Sequence, residues 1–432
     1  MNYKETVDYL YMQTPAYQKV GSSAYKPGLN NSLRLDVCFR HPHQKYKTIH
    51  VAGTNGKGSV SHTLAAILQQ SGYRVGLYTS PHLIDFRERI RVNGKMISER
   101  YVVDFVEEHR EIFEPVEPSF FELTMEMAFC YFADEKVDVA VVEVGLGGRL
   151  DSTNIISPDL SIITNIGFDH TQYLGDTLAK IAFEKAGIIK PGVPVVIGEA
   201  TAETRPVFKL KAGQEHAPII FAEEALAGMK SEKTTEGWLF STPQYPQLKG
   251  ELGGYAQTKN ARTLLVAIEE LKQLNYNISD KAVYDGFARV SELTGLMGRW
   301  QVLQTGKPKI VCDTGHNAHG IRYIAEQLKH EQYDRLHIVF GMVNDKDIRA
   351  VLELLPKNAV YYFTKASVAR ALDENKLATE AGEFGLRGTR YATVPEAVAA
   401  AQKNADENDF IFIGGSSFVV ADALETNKSI QS

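Results

Sequence analysis

The clearest chemical signal in the sequence is a glycine-rich segment around one lysine, Gly53-Thr54-Asn55-Gly56-Lys57-Gly58-Ser59. Glycines let successive backbone N–H groups turn toward one point, and Lys57 adds a full positive charge, so the segment is typical of a phosphate-binding loop. The common pattern has a glycine where this chain has Val51, and a hydroxyl residue where this chain has Gly58. An apolar run precedes the segment and a helical period follows it, which favours phosphate binding over an ordinary turn.

Three polar residues farther along the chain indicate a metal environment. Ser80, Glu143 and His170 each follow an apolar run that is typical of a strand. A carboxylate at a strand end beside a phosphate loop is a common way to hold Mg²⁺. Each residue also has an ordinary structural explanation: Ser80 could cap the turn before Pro81, Glu143 could pair with Arg149, and His170 could be a structural histidine.

Further candidates lie in a loop and on a helix. Segment 145–154 is too glycine-rich and polar for a core, and its Arg149 and Asp151 favour a binding loop over a long turn. Phe121 and Glu122 fit equally well as the core and surface residues of one helix, so their period alone assigns them no function.

The second half of the chain has its own polar loops. Segments 313–317 and 414–417 each follow a strand-like run, and two sheets with facing rims would enclose a reaction that joins two substrates. Arg299 could form an interdomain salt bridge or reach a phosphate of ATP when the domains close. Lys185 lies in a helical period, where a lysine is ordinarily a solvated charge.

The elements that must position these residues alternate between strand and helix patterns. Near-continuous apolar runs are typical of parallel strands covered on both faces, so the alternation predicts an α/β fold with a parallel sheet. The strand-like runs are residues 48–52, 74–79, 137–144, 160–166, 193–197, 310–312, 337–340, 360–363 and 410–413, and the helical stretches include 3–12, 33–39, 99–113, 119–134, 252–274, 320–328 and 395–403. A polar loop with Gly21, Pro27 and Gly28 separates the first two helices.

Length and composition limit the classes of protein. A chain of 432 residues is expected to form two or three domains, and a small, flexible composition at 294–298 predicts a boundary between residues 1–296 and 297–432. A net charge of -6 argues against a general nucleic-acid binder. The N-terminus lacks the pattern of a signal peptide, and no run is long and apolar enough to cross a bilayer. Three widely spaced cysteines favour a reducing compartment, so we expect a cytoplasmic protein.

Taken together, the motifs resemble the folylpolyglutamate synthase family, including its bacterial bifunctional dihydrofolate synthase form, within the Mur ligase superfamily. The segments that carry the resemblance run in family order over nearly the whole chain: 50–59, 78–83, Phe121-Glu122, 147–151, Asp169-His170, 184–192 and 313–317. The resemblance implies an N-terminal P-loop ATPase domain and a smaller C-terminal Rossmann-like domain. It also implies ATP-dependent ligation of L-glutamate to a folate or dihydropteroate carboxylate, with small-molecule substrates, no nucleic acid or membrane, and a monomer.

The resemblance also implies roles for individual residues. The lysine that matches Lys185 is carbamylated in the family and helps to place a second Mg²⁺. The implied nucleotide contacts are Gly53, Thr54, Asn55, Gly56, Lys57, Gly58, Ser59, Asn260, Arg299 and Asp313. The implied magnesium contacts are Ser59, Ser80, Glu143, His170 and Lys185; those to folate are Phe121, Glu122, Arg149 and Asp151; and those to glutamate are His316, Ser416 and Ser417. Lys57, Lys185 and His316 are the expected catalytic residues.

The chain departs from the family pattern at three places. Ser152 stands where alanine is common, the segment 296–299 lacks the proline often found before glycine-arginine, and the segment 254–257 lacks the histidine often found before the glutamine. Two alternatives share the phosphate loop. A cell-wall ligase of the Mur type usually has an additional N-terminal domain, for which the segment before the loop is short, and a regulatory NTPase would hydrolyse ATP without ligation.

Overall fold

The structure is a computed structural model that describes residues 1–13 and 28–431. The predicted polar loop with Gly21 and Pro27 lies outside the described residues. The strands are β1 (Lys47–Ala52), β2 (Val75–Tyr78), β3 (Ile90–Val92), β4 (Lys95–Met96), β5 (Val139–Glu143), β6 (Leu160–Ile163), β7 (Val195–Ile197), β8 (Ile219–Phe221), β9 (Lys230–Thr234), β10 (Gly237–Ser241), β11 (Leu248–Gly250), β12 (Gln301–Gln304), β13 (Lys309–Asp313), β14 (Leu336–Phe340), β15 (Val360–Phe363), β16 (Gly388–Arg390) and β17 (Phe410–Gly414).

The helices alternate with these strands along most of the chain. They are α1 (Tyr3–Gln13), α2 (Asn30–Cys38), α3 (Lys57–Gln70), α4 (Glu99–Phe113), α5 (Phe120–Asp134), α6 (Thr171–Leu174), α7 (Leu178–Ala186), α8 (Arg205–Gln214), α9 (Ala222–Ala225), α10 (Ala256–Gln273), α11 (Asp280–Ala288), α12 (Val290–Thr294), α13 (Ala318–His330), α14 (Ile348–Leu352), α15 (Glu374–Glu383), α16 (Val394–Asn404) and α17 (Ser417–Gln431). Short 3-10 helices cover Pro42–Lys45, Phe86–Arg89, Glu114–Val116 and Ser152–Ile155.

The chain divides into two compact units. The first contains Met1–Glu251 and Gln257–Leu296, and the second contains Leu252–Ala256 and Met297–Ser432. Residues 252–256 join the second unit although they precede the predicted boundary. A Cβ on Gly253 would lie 2.7 Å from the Trp300 indole, so this short segment packs closely against the second unit.

The described part of the first unit is built on an eight-stranded sheet in the order β4-β3-β2-β5-β1-β6-β7-β8. All neighbours from β2 to β8 are parallel, and β3 and β4 add an antiparallel edge. Strands β9 to β11 form a separate antiparallel sheet. Two apolar clusters pack around the large sheet, one containing Phe129 and Phe132 of α5 and the other containing Ile181 of α7 and Phe208 of α8. Both faces of the central strands are therefore covered, as expected for a parallel sheet.

The second unit is built on a six-stranded sheet in the order β12-β13-β17-β14-β15-β16 among its described residues. Only β12 pairs antiparallel with its neighbour in this sheet. Its core contains Phe340, Phe363, Phe410 and Phe412, which lie on the central strands. The predicted α/β class with mostly parallel sheets is confirmed for the chain.

Local sequence explains where several helices begin. Ser98, Ser119, Thr177 and Asn317 each precede a helix and accept a hydrogen bond from a backbone N–H of its first turn. Such caps satisfy N–H groups that have no partner within the helix and contribute about 1 kcal/mol each. The sequence prediction missed β9 to β11, since β9 is exposed along its whole length and shows no apolar alternation.

Candidate active site

The glycine-rich segment forms a tight loop between β1 and α3. Gly53 and Gly56 both have positive φ, at 147° and 83°. A Cβ on Gly53 would overlap the Thr164 hydroxyl, and a Cβ on Gly56 would overlap the Asn260 side-chain amide. Glycine is therefore required at both positions for conformational and steric reasons. The loop opens directly into the N-terminus of α3, where helix N–H groups favour an anion.

Residues at the end of β6 hold this loop in place. The Thr54 N–H donates to the Asn165 carbonyl over 2.9 Å, and the Asn55 N–H donates to Asn165 Oδ1 over 2.9 Å. Thr164 Oγ1 donates to the Asn55 carbonyl over 2.6 Å. Thr164 and Asn165 are buried, so the loop is fixed by bonds that water does not compete for strongly. Apart from their position after a strand, these two residues have no feature in the sequence that predicts this role.

Lys57 lies at the start of α3 with its amine turned back over the loop. Its Nζ donates to the carbonyls of Gly53 and Thr54, over 3.2 and 3.4 Å. These neutral partners hold the amine at the loop without neutralising its charge, as a phosphate-binding lysine requires.

Ser59 is buried on the first turn of α3 and is linked to the nucleotide candidate Asn260. Its hydroxyl accepts a hydrogen bond from Gln257 Nε2 over 3.2 Å, and Gln257 Oε1 accepts one from Asn260 Nδ2 over 2.9 Å. The structure therefore brings Asn260, 201 positions beyond Ser59 in the numbering of the chain, to the glycine loop. Gln257, which sequence reasoning left without a role, connects the two.

Two of the predicted magnesium contacts are in direct contact through the backbone. The Ser80 N–H, just after β2, donates to Glu143 Oε2 over 3.2 Å, and Glu143 is buried at the end of β5. Because β5 lies between β2 and β1, both residues are at the same sheet edge as the phosphate loop. The sequence left open an ion pair between Glu143 and Arg149. In the structure, the Arg149 guanidinium instead pairs with Glu184 over 2.9 Å.

His170 follows β6 in a left-handed backbone conformation with φ of 50°. Its Nε2 lies 3.8 Å from Asp169 Oδ1, and its side chain is 21% exposed. The imidazole is thus partly exposed and close to a carboxylate.

Lys185 is the main departure from what its position on a helix suggests. Its side chain is buried on α7, with 4% exposure, and is therefore not a solvated surface charge. Burial and the positive charge of Lys57 lower its pKa to about 7, against the opposing effect of Asp169 and Asp151. A buried lysine with such a pKa is neutral in a substantial fraction of molecules near pH 7, and a neutral amine is a nucleophile.

The residues predicted to contact folate divide into two groups. Asp151 and Glu122 are buried, and their oxygens accept hydrogen bonds from the backbone: Asp151 from the N–H groups of Leu146 and Thr153, and Glu122 from the N–H of Ser119. These carboxylates therefore fix a loop and a helix end.

Phe121 and Arg149 form the second group. The Phe121 ring lies 5.8 Å from the Tyr78 ring and under Gly145, where a Cβ would overlap it. Arg149 is exposed, with its guanidinium 5.5 Å from the centre of the exposed Phe183 ring. Phe121 of α5 thus lies against the glycine-rich loop that carries Arg149, and Asp151 holds the backbone of that loop.

In the second unit, Arg299 and Asp313 lie close together. Asp313 ends β13 and accepts hydrogen bonds from the N–H groups of Trp300 and Gly315, over 2.7 and 2.8 Å. Arg299 donates to the Thr314 hydroxyl. Burial raises the pKa of Asp313, and the Arg299 guanidinium opposes that rise.

The glutamate candidates of the second unit share one sheet edge. His316 follows β13, and Ser416 and Ser417 follow β17, which is its parallel neighbour with Asp313 paired to Gly414. His316 Nδ1 lies 3.0 Å from the Thr314 carbonyl oxygen.

Comparisons with known proteins agree with this geometry. The Mur ligase middle domain family matches residues 51–237, and the Mur ligase glutamate ligase domain family matches residues 298–417. Dihydrofolate synthase/folylpolyglutamate synthase of Bacillus subtilis is 35% identical over 92% of this chain and 94% of its own length. Folylpolyglutamate synthase of Lacticaseibacillus casei is 31% identical over 99% of both chains.

Solved structures resemble the whole chain. FolC of Escherichia coli, in complex with DHPP and ADP, superposes with a TM-score of 0.86 at 28% identity and covers 100% of this chain and 99% of its own. A bifunctional folylpolyglutamate synthase/dihydrofolate synthase with Mn, AMPPNP and L-glutamate bound gives 0.83 at 28% identity, covering 100% of this chain and 98% of its own. No helix among the described residues is long and apolar enough to span a bilayer.

Fold and site together define an ATP-dependent ligase of the Mur ligase type. Within that class, the chain belongs to the dihydrofolate synthase/folylpolyglutamate synthase family. The alternatives of a cell-wall ligase and of a regulatory NTPase are therefore not supported.

Proposed function

We propose that this chain joins L-glutamate to the carboxylate of a folate, of dihydropteroate, or of both, at the expense of ATP. The observation that carries the proposal is the phosphate loop, in which two glycines with positive φ and the Lys57 amine are fixed by the end of β6. Relatives named dihydrofolate synthase/folylpolyglutamate synthase match over most of the chain, which supports the choice of substrates.

The chemistry requires activation of a poor acylating group. The acceptor carboxylate oxygen attacks the γ-phosphorus of ATP, ADP leaves, and an acyl phosphate forms. The amine of glutamate, after loss of a proton, then attacks the acyl carbon, and inorganic phosphate leaves as the amide forms. Phosphoryl transfer depends mainly on positioning and charge neutralisation. The loop N–H groups and Lys57 supply both at the β and γ phosphates, and Arg299 and Asp313 are proposed nucleotide contacts of the second unit.

The donor atoms beside the loop fit a magnesium ion. Hydroxyl and carboxylate oxygens are the ligands that Mg²⁺ prefers, and Glu143 is a buried carboxylate at the same sheet edge as the loop. We assign Ser59, Ser80, Glu143 and His170 to this environment. When bound, Mg²⁺ would neutralise charge on the transferring phosphoryl group. A solved relative from Yersinia pestis was determined with AMPPNP and a Mn ion, which supports a divalent cation in this family.

Lys185 is proposed to carry a carbamate that helps to hold a second Mg²⁺. Carbamylation needs a neutral amine, and burial of Lys185 lowers its pKa to about 7. The modification would turn a buried cation into a carboxylate-like group, which suits a metal ligand better than an ammonium. Crystals grown with bicarbonate should show added density on Nζ, whereas a bare amine beside an intact metal site would reject the carbamate.

The remaining residues are assigned to the two other substrates. Phe121 and Arg149 would contact the pterin and its acidic tail, while Glu122 and Asp151 keep the adjoining helix end and loop in shape. His316, Ser416 and Ser417 would contact the incoming glutamate. Residues 1–296 would then act as the ATP-binding domain and residues 297–432 as the glutamate ligase domain. We further propose a monomer in the cytoplasm, with its mass in solution as the check.

The experiment that tests the acceptor supplies ATP, Mg²⁺ and glutamate with either dihydropteroate or tetrahydrofolate, and weighs the products by mass spectrometry. Addition of one glutamate residue to dihydropteroate identifies dihydrofolate synthase activity, and addition to tetrahydrofolate identifies folylpolyglutamate synthase activity. Failure of both acceptors to gain mass, with folded protein and intact ATP binding, would overturn the proposal.

A further inference from the structure

A group of three metal-ligating side chains lies apart from the phosphate loop. Potential ligand atoms of Asp36, His41 and His43 all lie within 4.8 Å of one another. Asp36 Oδ2 is 2.6 Å from His41 Nδ1, and Asp36 Oδ1 is 3.3 Å from His43 Nε2. No residue in this group belongs to the proposed nucleotide, folate or glutamate sites.

The local backbone fixes the group within eight positions of sequence. Asp36 lies near the end of α2, and the helix is closed by a hydrogen bond from the His41 N–H to the Asp36 carbonyl over 2.8 Å. Pro42 then begins a 3-10 helix that carries His43. Because short-range hydrogen bonds hold all three residues, the arrangement does not depend on long flexible side chains.

The spacing and chemistry of these atoms suit a transition metal. Two imidazole nitrogens and one carboxylate oxygen are a typical set of protein ligands for zinc. With bonds of about 2.1 Å in a tetrahedral site, neighbouring ligand atoms are about 3.4 Å apart. Asp36 Oδ1 and His43 Nε2 are already at this separation, and Asp36 Oδ1 has no hydrogen-bond partner among the described residues. We propose that Asp36, His41 and His43 bind one Zn²⁺ ion, with the fourth position open to solvent.

A buried carboxylate lies on the helix that packs against His43. Glu126 of α5 is 0% exposed, and neither of its carboxylate oxygens has a hydrogen-bond partner within the part of the chain that the structure describes. The same helix carries Phe129, whose ring centre lies 5.9 Å from that of His43.

Exposure indicates which role the ion would have. The Asp36 and His43 side chains are 5% and 9% exposed, whereas the His41 side chain is 45% exposed. The ion would enter from the His41 side and join α2 to the 3-10 helix that leads into β1. We therefore expect the ion to stabilise the connection between α2 and β1, independently of the ligase reaction.

The test is a zinc titration of the full chain by calorimetry, without nucleotide and with Mg²⁺ in excess so that sites for hard cations are not available to zinc. His41→Asn is the main variant, because asparagine tolerates the left-handed conformation of His41, where φ is 53°. His216→Asn is the matched control, because His216 is an exposed histidine in the same conformation, with φ of 50°. His43→Gln removes a second ligand, and circular dichroism confirms that each protein is folded.

Wild type and His216→Asn should bind one Zn²⁺, and His41→Asn and His43→Gln should bind it at least about tenfold more weakly. Zinc should also raise the melting temperature of the first two proteins more than that of the two ligand variants. Equal zinc affinity in wild type and His41→Asn, or no zinc binding by wild type, would overturn the proposal. Because the His41 side chain is half exposed, we expect His41→Asn to fold. This variant therefore tests the zinc site even if His43→Gln does not fold.

Discussion

At the scale of single residues, we expect two lysines with different surroundings to carry the chemistry. Lys57 is half-buried and donates to the neutral loop carbonyls of Gly53 and Thr54, so its charge remains directed at the loop. Lys185 is buried, and the charge of Lys57 helps to lower its pKa to about 7. The glycine spacing identified the first lysine from sequence. It could not identify the second, because its burial depends on residues distant in sequence.

Replacement of Lys57 by alanine should abolish ligation and leave the fold intact. The amine is held by two loop carbonyls, and loss of one preorganised donor at a reacting site costs on the order of 10²- to 10³-fold in kcat. Steady-state kinetics with a thermal melt measure both effects. Lys47→Ala is the matched control, since Lys47 is exposed and should leave kcat nearly unchanged. Wild-type turnover by Lys57→Ala would remove the phosphate-loop assignment.

The Lys185 pKa predicts a dependence of stability on pH. The folded-state pKa of about 7 lies below the ordinary lysine pKa of 10.5, so the unfolded chain binds more protons between these values and the free energy of unfolding rises with pH in that window. Below about pH 7 the penalty is constant. In buffer free of carbon dioxide, wild type should gain about 1.4 kcal/mol per pH unit relative to Lys185→Met between pH 7.5 and 9. Denaturant titrations of both proteins at several pH values measure this, and a constant difference would contradict a depressed pKa.

At the scale of elements, the strand–loop–helix unit from β1 to α3 positions the phosphate-binding groups. Its loop has glycines at the two positions where a side chain would collide with Thr164 or Asn260. The loop is also bonded to the end of β6, which is the neighbour of β1 in the sheet. The loop conformation thus depends on both β1 and β6. A substitution within the loop should therefore change both the affinity for nucleotide and the free energy of unfolding.

Gly56→Ala tests this unit. A Cβ would meet the Asn260 amide and φ is 83°, so we expect a loss of about 1–3 kcal/mol in the free energy of unfolding and a marked loss of ATP affinity. Gly213→Ala is the control, because Gly213 lies in α8 with open space around its Cα, and alanine there should stabilise by up to about 1 kcal/mol. Denaturant unfolding and nucleotide titration measure both. Equal behaviour of the two variants would contradict the described loop.

Much of the fold followed from the sequence, because buried parallel strands leave a strong apolar pattern. The runs at 137–144 and 410–413 correspond to β5 and β17. Two site residues have structural roles that the sequence analysis did not predict. Glu122 follows Ser119 by three positions, which is the spacing of a capping box, and both reciprocal hydrogen bonds are present. Asp151 likewise caps the 3-10 helix at Ser152–Ile155. Local capping rules would have predicted both structural roles.

At the scale of the whole molecule, each unit presents polar residues at the carboxyl edge of its own parallel sheet. In the first unit these are the phosphate loop, Ser80 and Glu143, and in the second they are Asp313, His316 and the serines after β17. We propose that the first set binds ATP and folate and that part of the second set binds glutamate.

His316→Ala tests this division. Loss of a polar contact to glutamate should raise the KM for glutamate about tenfold and leave the KM for ATP nearly unchanged. His330→Ala is the control, since His330 is an exposed histidine of α13 within the same unit. Initial rates with each substrate varied in turn separate the two constants. A larger rise in the KM for ATP than for glutamate would contradict the assignment.

The most direct test of the central claim is the release of ADP from wild type in four mixtures, each with ATP and Mg²⁺: no addition, acceptor alone, glutamate alone, and both. An enzyme that activates a carboxylate and then transfers it to an amine predicts sustained ADP release only when acceptor and glutamate are both present, in equal amount to the amide formed. ADP release at the same rate in all four mixtures would contradict the account.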